Sequence, residues 1–269
     1  MYNDLLTIGG FTIHGYGLMI GIGIIAAWQL TEKRAVARGL SPDAVFTITI
    51  WAALGGLLGA KVLYLITMAG EIMRDPAMLF RELATGFVVY GGIIGGIFSG
   101  WLCCRVHGFP FLQYFDLVMP SIALAQGFGR IGCLLAGCCY GMPWEGACAL
   151  TFTHSDFAPN GVKLFPTQPV YSLLDFLHCG ILCALSDKMK VPGRTAALYL
   201  ILYSAGRFVM EFFRGDEIRG SVGALSTSQF IALFIFLAGI LLFVYAPRAA
   251  RVSASPESKT VTDDSSTET

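Results

Sequence analysis

Three charged residues stand inside stretches that are otherwise almost wholly apolar. Arg130 sits in LAQGFGRIGCLLAGCCYG, and Arg207 and Glu211 sit in LYSAGRFVMEFFRGDE. A charged side chain in bilayer hydrocarbon costs about 2.5 kcal/mol or more, so each needs a chemical reason. Tyr203, Arg207 and Glu211 recur every four residues and share one helix face, where Arg207 and Glu211 can pair within the helix. A structural ion pair is one reading of that spacing. Arg130 has no acid within a helical turn, so its counter-charge comes from elsewhere. A phosphate ester fits, because guanidinium forks hydrogen-bond phosphate oxygens and keep their charge in low dielectric. In a membrane the phosphate at hand is a lipid headgroup. Lys61 and Asp175 are two further ionisable residues within apolar runs. Tyr16 and Tyr90, at the outer ends of their spans, fall at the depth of the two arginines, where a tyrosine of the interfacial belt is the alternative reading. His14 reads as interfacial. Gly127, Gly129, Gly132, Gly137 and Gly141 around Arg130, and the YGGIIGG run at 90–96, permit close backbone approach, to a neighbouring helix or to a lipid.

Cys133, Cys138 and Cys139 form a C-x4-C-C cluster with Cys148 beyond it. The spacing matches no common zinc pattern and no histidine pair is near, so no metal is expected. A disulfide joining Cys138 or Cys139 to Cys148 is the expectation on an oxidising side of the membrane, with packing as the alternative for Cys133. Cys103, Cys104, Cys179 and Cys183 read as small apolar residues.

The elements that must position these residues are transmembrane helices. Of 269 residues 55% are hydrophobic and 13% charged, against roughly 25% charged in soluble domains, and the formal charge is zero. That balance excludes a soluble enzyme, a disordered chain and a nucleic-acid binder. A spanning helix takes about 20 apolar residues. About seven stretches qualify, at 11–31, 44–69, 84–104, 111–140, 170–187, 195–214 and 224–246. No strand alternation of a β-barrel is present. The fold class is therefore an all-α integral membrane protein of about seven transmembrane helices. Residues 1–246 form a seven-span transmembrane domain and 247–269 a disordered cytoplasmic tail rich in Ser, Thr, Asp and Glu. Alternate loops carry ten Lys and Arg against five, which places the amino terminus outward and the carboxyl terminus in the cytoplasm. No cleavable signal peptide is expected. Residues 70–83 read as an interfacial helix and 142–168 as a small outward, hairpin-like cap.

The blocks His14-Gly15-Tyr16-Gly17-Leu18-Met19, Tyr90-Gly91-Gly92-Ile93-Ile94-Gly95, Gly129-Arg130-Ile131-Gly132, Pro166-Thr167-Gln168 and Tyr203 through Arg214 follow one another as they do in bacterial prolipoprotein diacylglyceryl transferases, a family that the chain resembles over nearly its whole length. The resemblance implies an inner-membrane, multi-pass transferase that moves the diacylglyceryl group of phosphatidylglycerol to the lipobox cysteine of a prolipoprotein. A thioether forms and glycerol phosphate is released. It implies prolipoprotein signal peptides and membrane lipid as partners, no nucleic acid and no cofactor. Carried over by position, Arg130, Arg207 and Tyr16 are catalytic, and Arg130, Tyr90, Gly141, Tyr203 and Glu211 bind substrate. The chain departs from the family pattern in three places: Tyr90 stands where the family has histidine, Cys133 where it has asparagine, and Gly137-Cys138-Cys139 where it has a Gly-Glu pair, so that the Glu is lost. Two other readings stay open on the residues alone. One is a diverged paralogue acting on another lipid or acceptor, or using its cysteines for redox chemistry. The other is a phospholipid-binding or transport protein without catalysis.

Overall fold

The computed structural model describes residues 4–8, 11–75, 77, 86–216, 220–223 and 225–253. The long helices are α1 (Gly15–Ala37), α2 (Pro42–Thr67), α4 (Val89–His107), α5 (Phe111–Ala136), α6 (Thr167–Ser186), α7 (Arg194–Met210) and α8 (Thr227–Ser253), with a short α3 (Ala69–Arg74) after α2. Six of them, all but α1, have the length and composition to cross a membrane, α7 counted through to Phe213. The 23 residues of α1 rise roughly 34 Å, but Glu32, Lys33 and Arg34 dilute its last turns.

Most boundaries differ by a few residues from the sequence reading, and those of the first and fourth spans differ for a local reason. The first span begins at Gly15, because β1 (Asp4–Ile8) and β2 (Phe11–His14) pair antiparallel before it. Gly9-Gly10 between two alternating runs is a hairpin signal that the apolar count passed over. The fourth span stops at Ala136 and not at 140, because Gly137 turns left-handed with φ +74°. Of the interfacial segment at 70–83, α3 covers the start; residues 76 and 78–85 lie outside the described residues. Helix α8 passes the expected boundary at 246 and reaches Ser253, and the rest of the expected tail, 254–269, lies outside the described residues.

The chain divides into two compact units, Ala27–Val118 and Met1–Ala26 with Met119–Thr269. The first is organised by α2 against α4. Ser41 caps α2, accepting from the Ala44 N–H at 3.3 Å, with Pro42 in the first turn, and Gly108 closes α4 in the left-handed region. A Cβ on Gly59 would strike the Gly91 carbonyl, and one on Gly95 the Gly55 carbonyl. The YGGIIGG glycines therefore serve helix packing, the small-residue crossing common in membranes. Ala35, Ala44, Val45, Tyr114 and Leu117 form a separate core in this unit.

The second unit holds α6, α7, α8 and a cap at 137–166. In the cap, β3 (Leu150–Thr151) pairs with β4 (Lys163–Leu164) antiparallel, matching the hairpin expectation, over a core of Phe152, Ala158 and Leu164. Helix α6 is polar inside and apolar outside. Tyr171, Ser172, Asp175 and His178 are buried along one face, while Leu173 and Leu177 on the other are 69% and 56% exposed. That inversion of the soluble pattern is what a helix flanked by hydrocarbon and a polar interior requires.

Candidate active site

The cavity of the second unit, about 150 Å³, is lined by Arg130 of α5, by Tyr171, Asp175 and His178 of α6, and by Tyr203, Gly206 and Arg207 of α7. Gly127 brings α5 and α6 together. A Cβ there would overlap the Phe176 ring, and Ser172 Oγ donates to the Gly127 carbonyl at 3.0 Å. The two arginines meet over one ring. The Arg130 guanidinium carbon stands 4.4 Å from the Tyr171 centroid and that of Arg207 5.9 Å. Cation–π contact of this kind holds a guanidinium without consuming its N–H donors.

The two arginines are held differently. Arg207 Nη1 donates to Tyr171 Oη at 2.6 Å, Nη2 donates to Ser228 Oγ at 2.9 Å, and Nη2 pairs with Glu211 Oε2 at 3.0 Å. The intrahelical ion pair expected from the spacing is therefore present. Glu211 is fixed in turn by Ser226 Oγ, which donates to Oε1 at 3.0 Å. Ser226 also begins α8 in a capping box, its Oγ accepting from the Gln229 N–H while Gln229 Oε1 accepts from the Ser226 N–H, each at 3.1 Å. The box sets the angle at which Ser228 and Ser226 face α7. Arg130, among the described residues, has no hydrogen-bond partner; it lies within electrostatic reach of Asp175 across the cavity. Its donors are free for an anion.

Tyr203 lines the cavity and ends a stack of rings, His178 on Tyr199 at 5.0 Å and Tyr199 on Tyr203 at 5.7 Å, steadied by Tyr199 Oη donating to Gln126 Oε1. Tyr16, at the start of α1, does not line the cavity. Its ring packs at Gly132, where a Cβ would come within 3.2 Å of it, and it lies within electrostatic reach of Arg130 and the three cysteines. Tyr90 belongs to the other unit, on the first turn of α4. Gly141 is buried away from the cavity at a crossing of three strands of chain: its backbone bridges Arg214, and a Cβ would strike the Phe165 carbonyl.

Tyr171 and His178 are prominent in the site and were not singled out from sequence, whereas Asp175 was noted there as an ionisable residue within an apolar run without a role. The available signal was polar residues at four- and three-residue steps through an apolar span, 171, 175 and 178, the face of a helix that looks inward.

The cysteines are arranged by the end of α5. Gly137 N–H bonds to the Leu134 carbonyl at 3.2 Å and Cys138 N–H to the Cys133 carbonyl at 3.1 Å, the two bonds of a Schellman motif. That motif sets the side chains at 133 and 138 against each other. Cys139, left-handed with φ +57°, turns the third thiol back toward them, and the three sulfurs lie within 4.8 Å of one another. Gln168 Nε2 donates to the Cys138 carbonyl at 2.8 Å, and Ser155 Oγ to the Gly137 carbonyl at 3.2 Å, so both α6 and the cap hold the turn. Backbone pairing of 140–142 with 213–215 sets Arg214 beside Cys139. Asp216 grips Arg214, accepting from Nε at 2.8 Å. Burial opposes the charge on Arg214, but Asp216 outweighs it and holds the guanidinium above its ordinary range. Hydrogen bonds from the Cys133 and Cys138 thiols, joined by Arg214, draw the Cys139 thiol downward. The expected disulfide to Cys148 is not formed. None of the eight cysteines is in a disulfide, and the cluster sulfurs face one another, because the Schellman turn closes on its own side chains and leaves Cys148 exposed.

Residues 3–245 match the family described as prolipoprotein diacylglyceryl transferase. A phosphatidylglycerol–prolipoprotein diacylglyceryl transferase 2 of Clostridium perfringens (strain 13 / Type A) is 49% identical over 236 residues, covering 88% of this chain and 92% of its own. The phosphatidylglycerol–prolipoprotein diacylglyceryl transferase of Clostridium tetani (strain Massachusetts / E88) is 48% identical over 239 residues, 89% and 95% of the two chains. One of the same description from Gloeobacter violaceus (strain ATCC 29082 / PCC 7421) is 30% identical over 257 residues, 93% and 95% of the two. With the arginine blocks in place and a match along nearly its full length, this chain belongs to the prolipoprotein diacylglyceryl transferase family.

Proposed function

We propose that the protein transfers the diacylglyceryl group of phosphatidylglycerol to the lipobox cysteine thiol of a prolipoprotein. The observation that carries this reading is the shared cavity of Arg130 and Arg207, in which one guanidinium is held by Tyr171, Ser228 and Glu211 and the other has no hydrogen-bond partner among the described residues. Arg130 binds the lipid phosphate with its free donors. Arg207, fixed by Tyr171, Ser228 and Glu211, supplies a second positive charge and holds the Tyr171 ring against Arg130. The acceptor sulfur attacks the glyceryl carbon bonded to the phosphate oxygen. The carbon–sulfur bond forms as the carbon–oxygen bond breaks, and its electron pair leaves on glycerol phosphate. Charge growing on the leaving oxygen is stabilised by guanidinium groups already oriented in a water-poor site. Tyr16, beside Arg130 and the cysteines, is the hydroxyl through which the thiol proton leaves. Tyr203 shapes the cavity wall, Glu211 positions Arg207, and Gly141 lets the chain cross beneath Arg214.

The enzyme works in the bacterial inner membrane with its amino terminus and cap outward and its carboxyl terminus cytoplasmic, the side on which Lys and Arg are concentrated. Its partners are phosphatidylglycerol and prolipoprotein signal peptides; no nucleic acid takes part. The arginine cavity and the family support this reading over the paralogue and the non-catalytic alternatives. The test is complementation of a bacterial strain depleted of its own diacylglyceryl transferase. Growth with lipid-modified prolipoprotein is the expected result; no growth with the protein well expressed in the membrane overturns it.

A further inference from the structure

The thiol cluster at the end of α5 is not used by the arginine chemistry, yet four separate devices hold it together. The Schellman bonds set Cys133 against Cys138, a left-handed non-glycine residue turns Cys139 inward, Gln168 and Ser155 pin the intervening carbonyls, and Arg214 stands at Cys139. A non-glycine residue in the left-handed region costs of order 1 kcal/mol and persists where the surroundings demand it. The sulfurs lie within 4.8 Å of one another and are half-buried. A tetrahedral zinc centre with Zn–S bonds of about 2.3 Å sets its sulfurs roughly 3.8 Å apart, so a shift of about 1 Å or less closes the site on an ion. Among the described residues no fourth His, Cys, Asp or Glu joins the group.

We propose that Cys133, Cys138 and Cys139 bind one divalent ion of the zinc class as a three-thiolate centre whose open fourth position takes the acceptor thiol. Three protein ligands and one exchangeable position is the arrangement of catalytic zinc. Three thiolates around a divalent ion leave one net negative charge, which sits beside the Arg214 guanidinium, shared with Asp216, and within electrostatic reach of Arg130. An incoming R–SH displaces a bound water. Coordination deprotonates it outright, and the proton leaves by way of the Tyr16 hydroxyl to solvent. The bound R–S⁻ attacks the glyceryl carbon, the carbon–oxygen bond breaks with its electrons on glycerol phosphate, and the product thioether, a neutral and weaker ligand, gives way to water. Nothing is oxidised or reduced. The catalytic part of this inference rests on the transferase reading; the metal site does not.

The experiment uses the full chain purified in detergent, its metal content measured by mass spectrometry and the site reloaded with Co²⁺. The expected result is about one equivalent of zinc per chain, absent in Cys133→Ser, Cys138→Ser and Cys139→Ser and kept in Cys148→Ser. Tetrahedral ligand-field bands with sulfur-to-cobalt charge transfer of three-thiolate intensity are expected from the unmutated protein, which keeps the test informative if a variant fails to fold. A lipobox peptide with its cysteine should shift those bands; its serine analogue should not. A metal-free protein that still transfers diacylglycerol, or a disulfide within the cluster of the purified protein, overturns the metal site and leaves the transferase reading standing. A cobalt spectrum that answers to the cysteine peptide, with no transfer to any prolipoprotein, overturns the transferase reading and leaves the site. Bands indifferent to the peptide overturn the fourth-position assignment.

Discussion

Arg130 and Arg207 enter one cavity with different obligations, and substitutions should separate them. Arg130→Ala removes the free donors and is expected to lower transfer on the order of 10²- to 10³-fold, the loss typical of a charge-stabilising group. Arg130→Lys should recover only part of it, since an ammonium is a point charge without the guanidinium fork and stacks poorly on Tyr171. Arg207→Ala should be as severe, because it also releases Tyr171 and leaves Glu211, 8% exposed, without its counter-charge. Ser228→Ala removes one hydrogen bond to a charged group, worth about 1.5 kcal/mol or more, and should lower transfer roughly tenfold with Arg207 still paired to Glu211. Assays with labelled phosphatidylglycerol and a lipobox peptide measure all four. Equal activity of Arg130→Ala and the parent would remove the phosphate-binding role.

Glycines divide by what surrounds them at the scale of elements. Gly95 lies where α2 and α4 touch backbone to backbone, so Gly95→Leu must push the Gly55 carbonyl and Gly59 Cα aside. A cost of about 1–3 kcal/mol is expected, read as a lower unfolding temperature in detergent. Gly180 on α6 faces open space, and Gly180→Ala should leave that temperature unchanged or raise it. Gly137→Ala forces a side chain into the left-handed region and against Ser155, so it should loosen the turn that groups the thiols. The expected sign is faster maleimide labelling of Cys133, Cys138 and Cys139 in the variant.

For the whole molecule, counting α1 as a span beside the six that qualify leads to the expectation that the termini lie on opposite sides of the membrane. A reporter active only in the cytoplasm should work when fused after Ser253, and one active only outside should work at the amino terminus. The reverse pattern would invert the orientation drawn from Lys and Arg. Deletion of residues 254–269, a segment with almost no large apolar side chain, should leave transfer at the parent rate in membranes.

Hydropathy, charge and spacing were enough for the helical membrane class, the approximate spans, the cap and the Arg207–Glu211 pair, because a bilayer demands continuous apolar helices and one helix face is readable from its own period. The two arginines were legible for the same reason: an unexplained charge in hydrocarbon stands out wherever it sits. What spacing could not show is which side chains from different helices meet. Tyr171 between the guanidinium groups, Ser228 behind Arg207 and Arg214 beside Cys139 are contacts between residues 21 to 75 positions apart in the chain. The three cysteines stood out in the sequence as a cluster, but the convergence of their sulfurs did not, because its logic is that of a turn. A Schellman bond pattern and one left-handed cysteine gather sulfurs that a helical wheel would scatter, and only the tertiary fold supplies the Gln168 and Ser155 contacts that hold them there.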